Sequence, residues 1–202
     1  MKNTYLLFLL IPFLGLSQKQ TSIEVVGRSI HYDKTPLFKG DITLSTNFSS
    51  YPKDAISFKE MKLRYDEALK IHGLSLNKMT EDTMGYAQLY YEKEGTLYTY
   101  KTTSVKDFQA FLSTKSFGLQ SLYFGYEFTI DAQEAAFLLE EALKNAREQA
   151  LIVASEIGKK VGKVISVEDK NPINTVLKKS MYYDHEIGKY PYDITVVFEL
   201  EE

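Results

Sequence analysis

The chain has 202 residues, of which 44% are hydrophobic and 25% charged, with a formal net charge of −3; this is a globular composition with apolar material for one core, and it excludes a disordered chain. Acidic and basic residues interleave throughout, so no basic stripe exists to track a phosphate backbone and nucleic acid is not an expected partner. Cysteine is absent, which excludes disulfides, a thiol nucleophile and a lipid-modified cysteine, so in an oxidising compartment the fold would have to rest on packing alone.

Taken in order, the chain opens with Lys2 ahead of an apolar run over residues 5–16, with Gly15 and Ser17 as small residues before a cut at Gln18. This reads as a signal peptide over residues 1–17. The run is about twelve residues, short of the roughly twenty that a membrane-spanning helix needs, so no stable span is expected after cleavage. Residues 18–202 are then one exported domain, periplasmic or secreted. Residues 22–31 are rich in β-branched side chains and carry Gly27 inside the run, the pattern of a strand with a bulge or a close backbone approach. Over residues 38–48, Ile42, Leu44, Thr46 and Phe48 alternate with polar neighbours and predict a second strand. A helix is expected over residues 54–72, ended by Gly73. Residues 84–91 and 96–103 predict a hairpin turned by Glu92, Lys93, Glu94 and Gly95. Ser104, with Asp107 three residues on, marks the start of a short helix.

Leu122, Phe124, Tyr126, Phe128 and Ile130 form the clearest alternating strand, and it runs straight into the longest helical signal, residues 131–160. Asp131 is its N-cap, Glu134 the capping-box partner, and Gly158 and Gly162 the stop. Alanines dominate one stripe of this helix: Ala132, Ala135, Ala136, Ala142, Ala146, Ala150 and Ala154, with Leu139, Leu143, Val153, Ile157 and Val161. So small a face lets the helix axis lie close to what it covers, and the aromatic face of residues 122–130 is the expected floor. A strand follows over 163–169, a long polar loop over 171–191, and a last alternating strand from Tyr192 to Leu200. The order predicts an α+β fold: a mixed, largely antiparallel sheet with helices packed on it.

Laid out this way, the chain resembles the SIMPL domain family. The residues that carry the likeness are Ala142, Ala146, Arg147, Ala150, Ala154, Ile157 and Gly158, then Val161 to Ile165 through Gly162. Ile23 to Gly27, Leu69 with Gly73 and Leu74, and Gly85 to Ala87 add to it. The chain departs from the family pattern at Ser29, where a second glycine is common, and in the tyrosine-rich loop before the last strand. The resemblance implies an exported α+β domain, assembly into large rings in some relatives, and a part in envelope or oxidative stress. It supplies no catalytic residue.

The residues themselves offer little chemistry. His31 with Asp33, His72, and the run Asp184, His185, Glu186 read as solvated polar groups rather than metal ligands, and no nucleophile elbow, phosphate loop or zinc-protease motif is present. No cofactor is expected and the protein is not expected to be an enzyme. The fifteen tyrosines suit sheet packing and interfaces alike. Phe137, Leu151 and Ile152, outside the alanine stripe, and Tyr182, Tyr183 and Tyr190, in the loop, are the candidate interface residues. Either the long loop or another subunit covers the three on the helix, with the loop the expected cover. The expected function is self-association or binding of an envelope protein; the alternatives are a small-ligand or peptide binder and, behind it, a hydrolase.

Overall fold

The computed structural model describes residues 21–48, 56–182 and 186–202. The signal segment, the expected helix start at residue 54 and Tyr183, Asp184 and His185 lie outside the described residues.

Among the described residues eight strands and four α-helices follow one another: β1 (Ser22–Tyr32), β2 (Leu37–Ser45), α1 (Phe58–Ile71), β3 (Met79–Asp82), α2 (Thr83–Ala87), β4 (Gly95–Thr102), α3 (Val105–Ser113), β5 (Leu119–Thr129), α4 (Ala132–Glu156), β6 (Lys160–Asp169), β7 (Val176–Ser180) and β8 (Lys189–Glu201). The α+β reading holds, and the strands divide between two sheets. One has the order β1-β8-β6 and the other β3-β4-β2-β5-β7, and every pairing is antiparallel.

The five-stranded sheet is covered by α1 and α3. Ser57 caps α1 by accepting from the Glu60 N–H, and Ser104 caps α3 by accepting from the Asp107 N–H, as its sequence spacing predicts. Tyr65 of α1 packs on Tyr98 of β4, and Phe108 and Phe111 of α3 pack among Phe38, Tyr100 and Phe124. Gly73 closes α1 at φ +75°, where Leu74 N–H reaches back to Leu69 O, a left-handed position that favours glycine.

The expected hairpin is different. Residues 84–91 do not form its first strand; that role belongs to β3, which pairs Met79 with Tyr100 and Asp82 with Leu97. Asp82 then accepts from the Gly85 N–H at 2.7 Å and starts α2 instead. The reason is local: a capping carboxylate three residues before a backbone N–H satisfies a helix start that alternation alone does not reveal. Tyr86 is consequently buried on a short helix, its hydroxyl donating to Lys93 O and lying 2.5 Å from Ser45 Oγ. The long loop is also partly ordered, since β7 pairs with β5 from Gly125 to Thr129.

The helix α4 begins and ends close to expectation. Asp131 Oδ1 accepts from the N–H groups of Gln133 and Glu134 at 2.9 and 2.8 Å. At the other end Gly158 adopts φ +68°, with Gly158 N–H bonded to Ser155 O and Lys159 N–H to Ala154 O. Gly162 is no part of the stop; it lies in β6. Asp131→Ala is expected to cost about 1 kcal/mol of stability, the usual worth of an N-cap, measured as a shift in the urea midpoint with an unchanged slope.

The floor of α4 is not β5. The helix lies across β1 and β8 of the three-stranded sheet, and its buried line is Ala135, Leu138, Ala142, Ala146, Ala150 and Ala154. Leu138 replaces Leu139 in that line, Leu139 and Leu143 are only half-buried, and Val153 and Ile157 are exposed. Large residues do lie opposite the small ones, but they come from Tyr192, Ile194, Val196 and Phe198 of β8. At the centre of β1 the opposing residues, Gly27 and Ser29, are small. A Cβ on Gly27 would collide with the Ala142 carbonyl oxygen and fall 2.7 Å from Ala146 Cβ, so the expected close approach is real, and no bulge accompanies it. Ser29 uses its small hydroxyl to donate to Leu138 O at 2.7 Å.

Candidate functional site

The free edge of β1 and the adjoining flank of α4 enclose a concave groove. Among the described residues β1 has a neighbour on one side only, β8. Its odd-numbered residues turn their backbone groups toward that neighbour, as Leu200 N–H bonded to Thr21 O and Asp33 N–H bonded to Gly188 O show at its two ends. Since successive residues of a strand point opposite ways, Val26, Arg28 and Ile30 turn theirs to the open side. Arg28 N–H confirms the parity, donating to Asn145 Oδ1 of α4 at 2.9 Å. Gln149 Nε2 donates to the same oxygen at 2.9 Å and holds the amide in place.

Two contiguous hollows follow this edge. One of about 330 Å³ is lined by Ser29, Ile30, Phe137, Leu138, Glu141, Lys144 and Glu148, and one of about 520 Å³ by Val26, Ile30 and Gln149; Arg28 and Asn145 border both. The walls mix apolar side chains, Val26, Ile30, Phe137 and Leu138, with polar and charged ones. Phe137 is 58% exposed and Ile152, further along the helix, 66%. Arg28 is clamped on the outer face of the sheet by Asp193, Nε to Oδ1 at 2.6 Å and Nη2 to Oδ2 at 2.7 Å. This bidentate bond raises the Arg28 pKa and, with its charge, holds the Asp193 carboxyl below the usual carboxylate range. With Arg28 neutralised, Glu141 and Glu148 outweigh Lys144 and leave the groove mildly acidic.

The expected interface residues separate. Phe137 lines the groove, and Leu151 and Ile152 stand exposed on the same helix; the long loop, drawn onto β5 through β7, does not cover them. Tyr182 is exposed on the far side of β7, and Tyr183 lies outside the described residues. Tyr190 packs inside: its hydroxyl donates to Asn171 Oδ1 at 2.9 Å, and its ring meets Phe128 at 5.9 Å. Sequence reasoning missed Val26, Arg28 and Asn145. The signal that could have found them is β1 itself, a regular eleven-residue strand at the start of the domain with no hairpin partner.

His31 is not a solvated strand-end residue. Its ring stacks on Phe128 at 5.5 Å, Nδ1 lies 3.1 Å from Glu134 Oε1, and Nε2 is buried without a hydrogen-bond partner among the described residues. Glu134 therefore serves His31 rather than closing a capping box. His72 caps the C-terminus of α1 through its backbone. No helix among the described residues is long and apolar enough to cross a membrane, and no group of three or more potential metal ligands lies among them.

One family model matches the chain, SIMPL, described as a protein of unknown function (DUF541), over residues 60–191. The match runs from α1 to the start of β8 and so includes all of α4. No curated protein sequence matches the chain.

Proposed function

The chain belongs to the SIMPL family, and from that premise we propose that it is an exported, non-enzymatic domain that works by binding protein, either a second copy or an envelope partner. The observation that carries this reading is the open β1 edge beside an α4 flank with Phe137, Leu151 and Ile152 exposed. Monomeric proteins tend not to leave a long strand edge and apolar side chains together in water, because such edges template further pairing. The signal-like N-terminus supports export, and the absence of any catalytic motif from the sequence supports a binding role. Envelope or oxidative stress is the setting that the resemblance implies.

Photo-crosslinking in the intact envelope tests the proposal. A photoreactive phenylalanine at position 137 or 152 is expected to give a discrete adduct of higher mass, whereas the same group at Ile71, exposed on α1, gives none. Equal labelling from all three positions, or none from any, would reject the interaction reading.

A further inference from the structure

Building on the binding role just proposed, we infer that the occupant of the β1 groove is an extended polypeptide segment of another protein, added to the three-stranded sheet as a fourth strand. The edge is chemically ready for it. Val26 and Ile30 turn their N–H and C=O groups outward, and between them Asn145 Oδ1 sits on the Arg28 N–H where an incoming carbonyl would bond. The side-chain amide stands in for the missing strand.

The surroundings choose among occupants. α4 lies directly over β1, close enough that Gly27 has no room for a Cβ beneath Ala142 and Ala146. A second copy paired antiparallel through its own β1 would place its β1 about 4.8 Å away, with its α4 on the same face. Packed helices need about 8–10 Å between axes, so the two would collide. The opposite edge of a second copy, β6, is interrupted by register shifts between Val161 and Val164 and between Val164 and Ser166, irregularities that spoil an edge for pairing. β1 keeps register through all eleven residues. A single strand with no helix of its own fits under the overhanging flank.

The walls indicate the segment's chemistry. Successive side chains of the added strand alternate between two environments, Phe137 and Leu138 above and Val26 and Ile30 on the outer face. Glu141 and Glu148 outweigh Lys144 along the rim, which favours a basic residue on the segment over an acidic one. The occupant is thus an apolar extended stretch of six or so residues carrying lysine or arginine.

A random linear dodecapeptide library selected on the full mature protein provides the probe. Enriched peptides are expected to alternate apolar residues with a basic one, and to slow amide hydrogen exchange at Val26 and Ile30. Affinity should fall at least tenfold for Val26→Pro and Ile30→Pro, which remove outward N–H groups while sparing the ladder to β8. N-methylating alternate residues of the peptide should lose as much, a control that leaves the protein's folding untouched. Peptides that bind the proline variants and the N-methylated forms equally well, or a library that enriches nothing, would overturn strand addition. So would amides of Val26 and Ile30 already protected in a peptide-free dimer, which would make the second copy the occupant. Crosslinks from Phe137 alongside any of these failures would leave the binding role standing and remove only the strand.

Discussion

Gly27→Val is expected to be the most damaging single substitution in the three-stranded half of the molecule. The new Cβ would meet the Ala142 carbonyl oxygen and Ala146 Cβ, and neither can turn away, because one is backbone and the other is the stub of the smallest chiral side chain. Relief requires α4 to lift from β1. That breaks the Ser29 bond to Leu138 O and the Arg28 bond to Asn145 and loosens the alanine line over β8. Overpacking of this kind costs about 3 kcal/mol at the upper end of its usual range, which for a domain of this size is roughly 10 °C of melting temperature. Val26→Ala, one residue away with its side chain on the outer face, should cost a small fraction of that. Urea unfolding of both variants checks the contrast, and equal stabilities would show that α4 does not touch β1 as described.

Alkali is expected to unfold the protein as its buried tyrosines are forced to ionise. Burial raises the pKa of Tyr65 and Tyr192 strongly, and those of Tyr98, Tyr100 and Tyr190 to a smaller extent. Tyr192 also bonds its hydroxyl to Asp169, which adds to the penalty on the phenolate. In each case the folded state holds the proton more tightly than the unfolded chain does. The contribution is therefore complete below the ordinary tyrosine value of about 10 and disappears as pH rises beyond it, at about 1.4 kcal/mol for each unit of displacement. A urea midpoint that is flat from neutral pH to about 9 and collapses by about 11 is the expected profile. Tyr65 is the informative position, because its buried hydroxyl has no hydrogen-bond partner among the described residues. Tyr65→Phe should leave neutral stability unchanged or slightly higher and extend the alkaline limit. A Tyr65→Phe variant whose urea midpoint collapses at the same pH as that of the parent would contradict this.

Much of the architecture could be read from the residues, and what could not has physical reasons. The long helix announces itself because Asp131 caps it, alanines recur every four residues and Gly158 stops it in a left-handed turn. β8 is legible because one face is buried and the other is not, which imposes strict alternation; β5 follows the pattern less closely, since a register shift against β2 opposite Asp41 and Ile42 leaves Leu122 exposed instead of on the buried face. The buried line of α4 is centred away from the expected stripe because a straight arc does not describe so long a helix. A line of residues four apart, such as Ala142, Ala146, Ala150 and Ala154, instead winds slowly around the axis. Ile157, at the C-cap of the helix, stands exposed. The partner sheet was misassigned for another reason: adjacency in sequence links β5 to α4, but only contact across more than a hundred residues places β1 beneath it. β3 and β7 escaped notice because strands of four and five residues are shorter than any period can establish. The groove was invisible because a free edge is a property of sheet order, which no local pattern encodes.

The pairing of β1 with β8 sets the timetable of folding. Arg28 and Asp193 face each other across 165 positions, so the strand that is synthesised first waits for almost the entire chain before its ladder can close. The five-stranded half, assembled from segments nearer one another, is free to consolidate earlier, while β1 stays single and exposed to whatever handles the nascent polypeptide. Such long loop closure slows the final step, and a chain cut short before Tyr192 would leave that first strand without its partner and α4 without its bed.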